Sequence, residues 1–442
     1  MAALDLVLGI DSSTQSTSAV VLNRRGFGLE AEARIRYRDD PRLSSFGLSE
    51  AAPILPPRER GEADQPAALF LAALDALLSD LPREVLGRLA AIDISAQQHG
   101  QIWLGERGAE AIAALKAPGA GSGSGAGSGA GLAERLGPGL ADPRSAIWMS
   151  ADTEAEAEDI RRALGGVEGV TALSGSDSPL RFSGAVIRRR AKRFPSLYSG
   201  TWRIHLISSF LAGVLAGESD SPIDWGNGSG MSLMDWGGRA WAPKLLAAVA
   251  DGLPGGAAGL VAKLPPLAHP LTIVGRPAAY FRERYGLPAD CVIVAGSGDN
   301  PQSKVLAEGT LLSLGTSFVI MTEGNRPHPS ANAMYDGLGR PFLFGCRTNG
   351  ALAWEAVRRA HGLKADDFAA SDRALADTAP GSVLRIFQSE RESFPFSPIL
   401  DLGRRPGFAE DYAGVVDASL GLVALGSAPF STAGGDIAVT GG

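Results

Sequence analysis

One local pattern occurs twice in this sequence: a short apolar run ends in a loop of glycine, serine and threonine. The run Leu4–Ile10 meets Asp11 and a Ser/Thr-rich turn that leads to the return run Ala19–Leu22. The run Leu311–Leu314 is followed in the same way by Gly315-Thr316-Ser317. Short apolar runs bounded by small polar residues predict buried strands whose ends are fixed by the loops. The repetition predicts two α/β domains that offer these loops to a shared cleft, where ligands usually bind.

Length supports the same division, because 442 residues exceed one ordinary hydrophobic core. The pattern restarts after Pro288 with the run 291–295 and the loop GSGDN. We therefore place the domains at residues 1–287 and 288–442. Further predicted elements are a strand at Leu89–Ile94 and helices at 66–80, after Thr153 and through Ile204–Leu215.

Composition narrows the class of protein. Hydrophobic residues make up 45% of the chain and charged residues 20%, the balance of a globular protein. The net charge of −7 argues against a nucleic-acid binder or a membrane-surface protein. No apolar run approaches the roughly 20 residues that span a bilayer. The first ten residues lack the basic start of a signal peptide, so we expect a cytoplasmic protein. Two cysteines form neither a disulfide framework nor a zinc site, and Cys291 is expected in the core.

Two segments are predicted to lie at the surface. Residues Ala117–Gly131 are almost entirely glycine, alanine and serine, a composition that cannot bury a core and indicates a flexible insertion. Their glycines alternate too regularly for a nucleotide-binding fingerprint. The basic run Arg188-Arg189-Arg190 is expected on the exposed side of a helix.

The first loop motif, GIDSSTQST at Gly9–Thr17, places an acid and backbone N–H groups around one point. Such a loop suits phosphate held with Mg²⁺, with Asp11 reaching the metal through water. A plain hairpin turn explains this motif equally well when it is taken alone.

Two further motifs supply polar groups after strands. In AGSGDN, Asp299 stands before a helix, where it can orient a substrate hydroxyl as a base or act as a helix N-cap. In SAQQHGQIWL, Gln97, Gln98 and His99 can bind sugar hydroxyls, with Trp103 packed beneath them. A lone histidine is more often structural, so His99 by itself does not decide between the two readings.

The set of motifs, in its order along the chain, resembles the FGGY carbohydrate kinases and within them the xylulokinase-like branch. The resemblance runs from about residue 5 to 442. It implies two actin-like (ribonuclease H-like) ATPase domains with ATP and sugar in the cleft between them. The motifs are GIDSSTQS, SAQQHG, IWM followed by Thr153, SPIDWGNGSGM, GSGDNP and LSLGTS.

The resemblance also implies roles for single residues. It makes Asp299 the catalytic base and Asn300 its neighbouring sugar contact. The other implied positions are His99 and Arg181 as sugar contacts beside Gln98, Asp11 near Mg²⁺, Thr14, Gly315 and Thr316 in the phosphate loops, and Gly441 and Gly442 at the turn against the adenosine.

The sequence departs from the family pattern in several places. Ser18 stands where the family usually has Lys or Arg, and Ser150 stands where it usually has Asp. The helix after Asp299 is shorter, and the chain stops at Gly442 within the predicted nucleotide site. We therefore expect a truncated C-terminus and weak adenosine binding.

These features predict in-line transfer of the γ-phosphoryl group of ATP to the 5-hydroxyl of a ketopentose, D-xylulose before others, with Mg²⁺. Two alternatives stay open. One is a kinase for ribulose, glycerol or another polyol, and the other is a sugar-binding homologue with little kinase activity. The expected partners are a sugar and ATP, with no nucleic acid and no membrane, and a homodimer is left open.

Overall fold

The computed structural model describes residues 4–49, 53–122, 130–394, 396–431 and 436–441, without the side chains of residues 393 and 396. The chain forms two compact units. Unit 1 comprises Met1–Val305 with Met334–Arg340, and unit 2 comprises Leu306–Ala333 with Pro341–Gly442. Residues 288–305 thus belong to the first unit, whereas the predicted division at residue 287 places them in the second.

Unit 1 is built on a mixed seven-stranded sheet. Its central strand Leu89–Ala96 pairs in parallel with Leu6–Ser12 on one side and with Val292–Val294 on the other. This pairing draws residues 288–305 into unit 1. The short strand Ser297–Gly298 continues in parallel along the end of the central strand. The sheet is completed by antiparallel strands at its two sides, Ser16–Asn23, Leu29–Arg36 and Ile273–Gly275.

Apolar helices cover this sheet. The predicted helix at 66–80 is observed as Ala67–Asp80, and its leucines and Phe70 are buried in the main core. The helix Ile207–Ala216 is buried at every position and ends at Gly217, whose φ of 70° favours glycine. It begins later than predicted, because Arg203–Leu206 is a strand paired with Gln101–Leu104. Cys291 lies in this core, as predicted.

The remaining elements of unit 1 are short. Its other helices are Arg83–Leu86, Glu106–Ala114, Leu132–Leu136, Glu154–Ala163, Val167–Ser174, Ser183–Arg193, Pro195–Gly200, Trp225–Ser229, Pro243–Ala250, Gly256–Val261, Ala279–Tyr285 and Asp299–Lys304, with 3₁₀ turns at Pro41–Phe46 and Gly137–Gly139. Its small strand pairs are Asp64–Pro66 with Arg144–Ala146, Ile223–Asp224 with Leu267–Ala268, and Met234–Asp235 with Ala240–Trp241.

The basic run in the helix Ser183–Arg193 is largely buried, which contradicts the prediction of an exposed face. Arg188 is 5% exposed and binds Asp159, while Arg190 is 6% exposed and binds Asp64 and Asp142. A buried charge is tolerated when it is paired and hydrogen-bonded. The partners come from elsewhere in the chain, so the local sequence does not reveal this burial.

Four strands of unit 2 lie in the order Pro341–Arg347, Phe318–Glu323, Thr310–Leu314 and Ile437–Thr440, and the short strand Asn332–Tyr335, which the division between the units crosses, is the first strand of the same sheet. The last two strands are parallel. The helices are Ala351–Ala360, Phe368–Asp377 and Phe408–Ser427, and the small strand pairs are Ile386–Gln388 with Leu400–Leu402 and Glu392–Ser393 with Phe396–Ser397. Across both units, none of the helices within the described ranges has the length and apolar character needed to cross a bilayer.

The segment Ala117–Gly131, predicted to be a flexible surface insertion, is held by hydrogen bonds in its described part 117–122. The carboxylate of Glu283 accepts hydrogen bonds from the backbone N–H groups of Gly119 and Gly121, each at 2.9 Å. Gly121 is buried, and a Cβ on it would lie 2.4 Å from the carbonyl oxygen of Tyr280. Residues 123–129 of the segment lie outside the described residues.

This contact predicts that Gly121→Ala destabilises the protein by roughly 1–3 kcal/mol, because the added methyl group overlaps backbone atoms. Gly137→Ala is the matched control, since the nearest atom to its added Cβ is an alanine methyl at 3.7 Å. Urea denaturation of both variants measures the difference. Equal stabilities would show that Gly121 is free of the packing described above.

Candidate active site

Three parallel strands of unit 1 end side by side. In the sheet register, Asp11 and Ser297 are both paired with Ser95, from opposite sides of the central strand. The carboxyl ends of neighbouring parallel strands commonly form ligand sites in α/β folds. The polar residues that follow these strands, from Gln97 to His99 and at Asp299, are therefore brought to one edge of the sheet, as the motifs predict.

Asp299 is the first residue of the helix Asp299–Lys304, after Gly298 as the N-cap, so it is not itself the cap. Its Oδ1 accepts hydrogen bonds from the backbone N–H of Gln98 at 3.3 Å and of Asn300 at 2.9 Å. Burial and the negative charge of Asp11 nonetheless raise the pKa of Asp299 to about 6. The carboxyl group is ionised at neutral pH but accepts a proton more readily than an ordinary aspartate.

Asp11 lies at the end of the strand Leu6–Ser12 and accepts a 2.7 Å hydrogen bond from the Ser95 hydroxyl. Burial raises its pKa, and the positive charge of Arg34 opposes this effect. Arg34 stands opposite Ser18 in the antiparallel register. A cation missing at Ser18 is thus present on the adjacent strand. The motifs did not reveal Arg34, and the only sequence signal is the alternation of charged and apolar residues in Leu29–Arg36.

The side chain of Gln98 is engaged by the protein at both ends of its amide. Its Oε1 accepts a 3.0 Å hydrogen bond from Asn300 Nδ2, and its Nε2 lies 3.9 Å from the sulfur of Met334. A Cβ on Gly298 would lie 2.3 Å from Gln98 Cγ, so the two segments are in close contact. The structure thus brings Gln98, Asn300 and Asp299 together as predicted, with Gln98 bound to Asn300.

His99 is buried in an unusual conformation, with φ of 68°. Its ring stacks on Phe182 with 4.8 Å between centroids, and Nδ1 lies 2.9 Å from the carbonyl oxygen of Gly230. Burial and, to a smaller extent, the nearby charge of Arg181 lower the pKa of His99 to about 3. The imidazole is therefore neutral at physiological pH. A carbonyl only accepts, so the proton is on Nδ1 and Nε2 is an acceptor.

Thr14 lies in the turn after the first strand and is held by two side chains. Its hydroxyl donates to Gln97 Oε1 at 3.2 Å and accepts from Trp148 Nε1 at 2.8 Å. Trp103 takes a different place from the one predicted. It is 1% exposed, lies in a hydrophobic cluster of unit 1, and donates to Gln101. Trp103 is therefore a core residue.

Unit 2 has its own pair of strand ends. Gly315 and Thr316 follow the strand Thr310–Leu314, and Gly441 follows the parallel strand Ile437–Thr440. Gly441 has φ of 118°, and a Cβ on it would lie 2.3 Å from the Leu314 carbonyl oxygen. Only glycine fits this close approach of two strand ends. Gly442, also predicted in the nucleotide site, lies outside the described residues.

Comparisons with known proteins agree with this architecture. No protein-family model matches the chain. The probable D-xylulose kinase A of Aspergillus fumigatus is 32% identical over 395 residues, which cover 85% of this chain and 65% of that relative. The gluconate kinase of Lactobacillus acidophilus has a TM-score of 0.78 at 17% identity, covering 99% of this chain and 81% of that one. The xylulose kinase of the same organism has a TM-score of 0.75 at 17% identity, with the same coverages.

The structural likeness, at these identities, shows a two-domain α/β sugar-kinase fold. The sequence relatives are likewise named as sugar kinases, in line with the resemblance of the motifs to the FGGY carbohydrate kinases. The chain spans 65% of the length of the curated relatives that it matches. Its own activity and substrate are therefore matters of proposal.

The raised pKa of Asp299 predicts a pH-dependent cost in stability. The native carboxyl titrates near pH 6 and an unfolded one near 4, so between these values the native state binds more protons and stability falls as pH rises. Asp299→Asn removes this cost and should stabilise the protein at pH 7.5 by about 2–3 kcal/mol, because each pKa unit corresponds to about 1.4 kcal/mol, with a gain below about 1 kcal/mol at pH 4.5. Thermal denaturation at both pH values tests this, with the exposed Asp39→Asn as the control. A gain that is equal at both pH values would contradict the assignment.

Proposed function

We propose that this protein transfers the γ-phosphoryl group of ATP to a hydroxyl of a ketopentose, converting D-xylulose to D-xylulose 5-phosphate. The observation that carries the proposal is Asp299, a carboxylate with a pKa near 6 at the strand edge that also holds His99. The curated relatives are named as probable D-xylulose kinases, which supports this substrate.

Asp299 would act as the general base. A base is most effective when its pKa lies near the working pH, because it is then ionised and still accepts a proton readily. Two backbone N–H groups fix Oδ1, which leaves Oδ2 to take the proton of the sugar hydroxyl as the new bond to phosphorus forms. The reaction is a direct in-line transfer and needs no phosphorylated enzyme.

The sugar would be held by His99, Arg181 and Asn300. The His99 Nε2 atom accepts a hydrogen bond from a sugar hydroxyl, because Nδ1 is committed to Gly230. Arg181 lies close enough for its charge to act on His99 and supplies donors to the same region. Gln98, predicted to contact the sugar, would act instead by holding Asn300.

The residues of the first strand end fit a magnesium–phosphate group. Asp11 offers a hard oxygen ligand, and a divalent cation would offset the mutual repulsion of Asp11 and Asp299. The described parts of the chain contain no cluster of three or more metal-binding side chains, so phosphate oxygens and water would complete the coordination. When bound, Mg²⁺ neutralises charge on the phosphates. Thr14 would contribute to the phosphate loop of unit 1.

The loop of unit 2 would bind nucleotide through its own strand ends. Gly315 and Thr316 offer backbone and hydroxyl donors, and Gly441 and Gly442 would form the turn beside the adenosine. Two alternatives are a kinase that acts on another polyol and a sugar-binding homologue with little activity. The experiments below distinguish both from the proposed function. A cytoplasmic location and a homodimer remain predictions.

Coupled ADP release measured with D-xylulose, D-ribulose, glycerol and gluconate tests this function. We expect the highest kcat/KM with D-xylulose. Asp299→Asn should reduce kcat by about 10²–10⁴ while sugar affinity changes little, because the amide keeps the shape but cannot take the proton. Asp39→Asn should behave as wild type. An Asp299→Asn variant with more than about a tenth of wild-type kcat would contradict the role of base.

His99→Ala should raise the KM for the sugar at least about tenfold and change the KM for ATP much less. The reason is that Nε2 is the acceptor offered to the sugar, and one lost hydrogen bond in a buried site costs about 1–2 kcal/mol. Steady-state kinetics with each substrate varied in turn gives both constants. Equal changes in both would indicate a structural histidine.

A further inference from the structure

A buried carboxylate that the proposed reaction does not use lies at the start of the short helix Trp225–Ser229. Asp224 is 1% exposed and caps this helix. Its oxygens accept hydrogen bonds from the backbone N–H groups of Gly226 at 2.8 Å and Asn227 at 3.2 Å, and from Asn227 Nδ2 at 2.7 Å. A cap alone needs only the backbone donors, so the remaining partners need a separate explanation.

One further partner of Asp224, Ser297, lies in the segment that contains Asp299. The hydroxyl of Ser297 donates to the same Asp224 oxygen that caps the helix. Ser297 lies two residues before Asp299, in the strand that pairs with Leu89–Ala96. The contact is close-packed, because a Cβ on Gly226 would lie 2.5 Å from Ser297 Oγ. The N-terminal end of the helix is thus fixed to the segment that presents Asp299.

The other end of the same helix leads to His99. Gly230 is the C-cap residue, and its carbonyl oxygen is the one that accepts from His99 Nδ1. A Cβ on Gly230 would lie 2.9 Å from His99 Cε1, so this contact also leaves no room. Asn227, in the middle of the helix, also contacts Ser208 and the segment that contains Gly298. Asn227 Nδ2 donates to Ser208, and Asn227 Oδ1 lies 2.9 Å from the position of a Cβ on Gly298.

We propose that the helix Trp225–Ser229 sets the separation between Asp299 and His99, and that Asp224 and Ser297 are positioning residues for the transfer. The proposal rests on the proposed function, in which Asp299 takes the proton and His99 holds the sugar. In this proposal the five-residue helix, which is hydrogen-bonded at both ends, couples the position of Asp299 to that of His99. Base and acceptor sugar are then held in one geometry, and small displacements in such geometry lower rates strongly.

The proposal assigns different effects to the two ends of the helix. Ser297→Ala removes the contact to Asp224 at one end, displaces Asp299, and should lower kcat for the sugar while the sugar KM changes little. Gly230→Ala displaces His99 and should raise the sugar KM more than it lowers kcat. A helix that only supports folding would give the same pattern at both ends.

The experiment compares Ser297→Ala and Asp224→Asn with the matched controls Ser174→Ala and Asp235→Asn. Ser174 is buried and its hydroxyl donates to the carbonyl oxygen of Val170, so Ser174→Ala loses a comparable bond elsewhere in unit 1. Asp235 accepts from Gly238, and Asp235→Asn controls for removing an aspartate charge away from the helix. Sugar phosphorylation and sugar-independent ATP hydrolysis are measured for each. We expect the ratio of the two rates to fall at least about tenfold in Ser297→Ala and Asp224→Asn and to stay unchanged in the controls.

A smaller population of folded enzyme would lower both rates equally, and that result would overturn the proposal. An unchanged ratio would overturn it too. Ser297→Cys, which retains a weak donor of similar size, should restore part of the ratio, and a ratio as low as that of Ser297→Ala would count against the hydrogen bond.

A second measurement is independent of turnover. The ¹⁵N spectrum of labelled imidazoles reports the tautomer of His99, which is one of five histidines in the chain. Asp224→Asn should move His99 away from the Nδ1–H form, and Asp235→Asn should not. If the wild-type protein phosphorylates none of the sugars, the proposed function fails. The spectrum then tests on its own whether the helix Trp225–Ser229 couples Asp224 to His99. An unchanged His99 in Asp224→Asn would then overturn this coupling.

Discussion

The parallel pairing of the strand Leu89–Ala96 with its two neighbours is the interaction on which the candidate site depends. In this register Asp11 and Ser297 stand on opposite sides of Ser95. The two strand ends therefore bring two carboxylates, Asp11 and Asp299, to one edge of the sheet from segments far apart in sequence. A slip of one residue would turn Asp11 to the opposite face, because side chains alternate along a strand.

Two carboxylates in a partly buried edge repel each other, and the surrounding polar groups offset only part of that repulsion. The Ser95 hydroxyl donates to Asp11, and backbone N–H groups donate to Asp299. The charge of Arg34 acts on Asp11 from the next strand. The balance still leaves the pKa of Asp299 near 6. Shifted pKa values cluster at functional sites, which supports the role proposed for Asp299.

The sequence predicted the local features of this site and missed the features that arise from distant partners. Strand ends and their loops were predicted near Asp11 and Gly315 because apolar runs and turn residues are local signals. The allocation of residues 288–305 to unit 1 depends on which strand they pair with, and no local pattern encodes that choice. Buried Arg190 was missed for the same reason, since its partners Asp64 and Asp142 lie far from it in the chain.

The hydrogen-bond partners of the motif SAQQHG distinguish residues that the sequence pattern groups together. All three polar side chains follow one strand, and each is a plausible sugar ligand by residue type. Gln97 is bound to Gln65 and Thr14, and Gln98 is bound to Asn300 and close to Met334. His99 alone retains an acceptor, Nε2, for which the described residues supply no hydrogen bond. An imidazole nitrogen of this kind can accept a hydrogen bond from a ligand. A sugar hydroxyl has the right polarity to donate to it, which is why the proposed reaction assigns the sugar contact to His99 and not to Gln97 or Gln98.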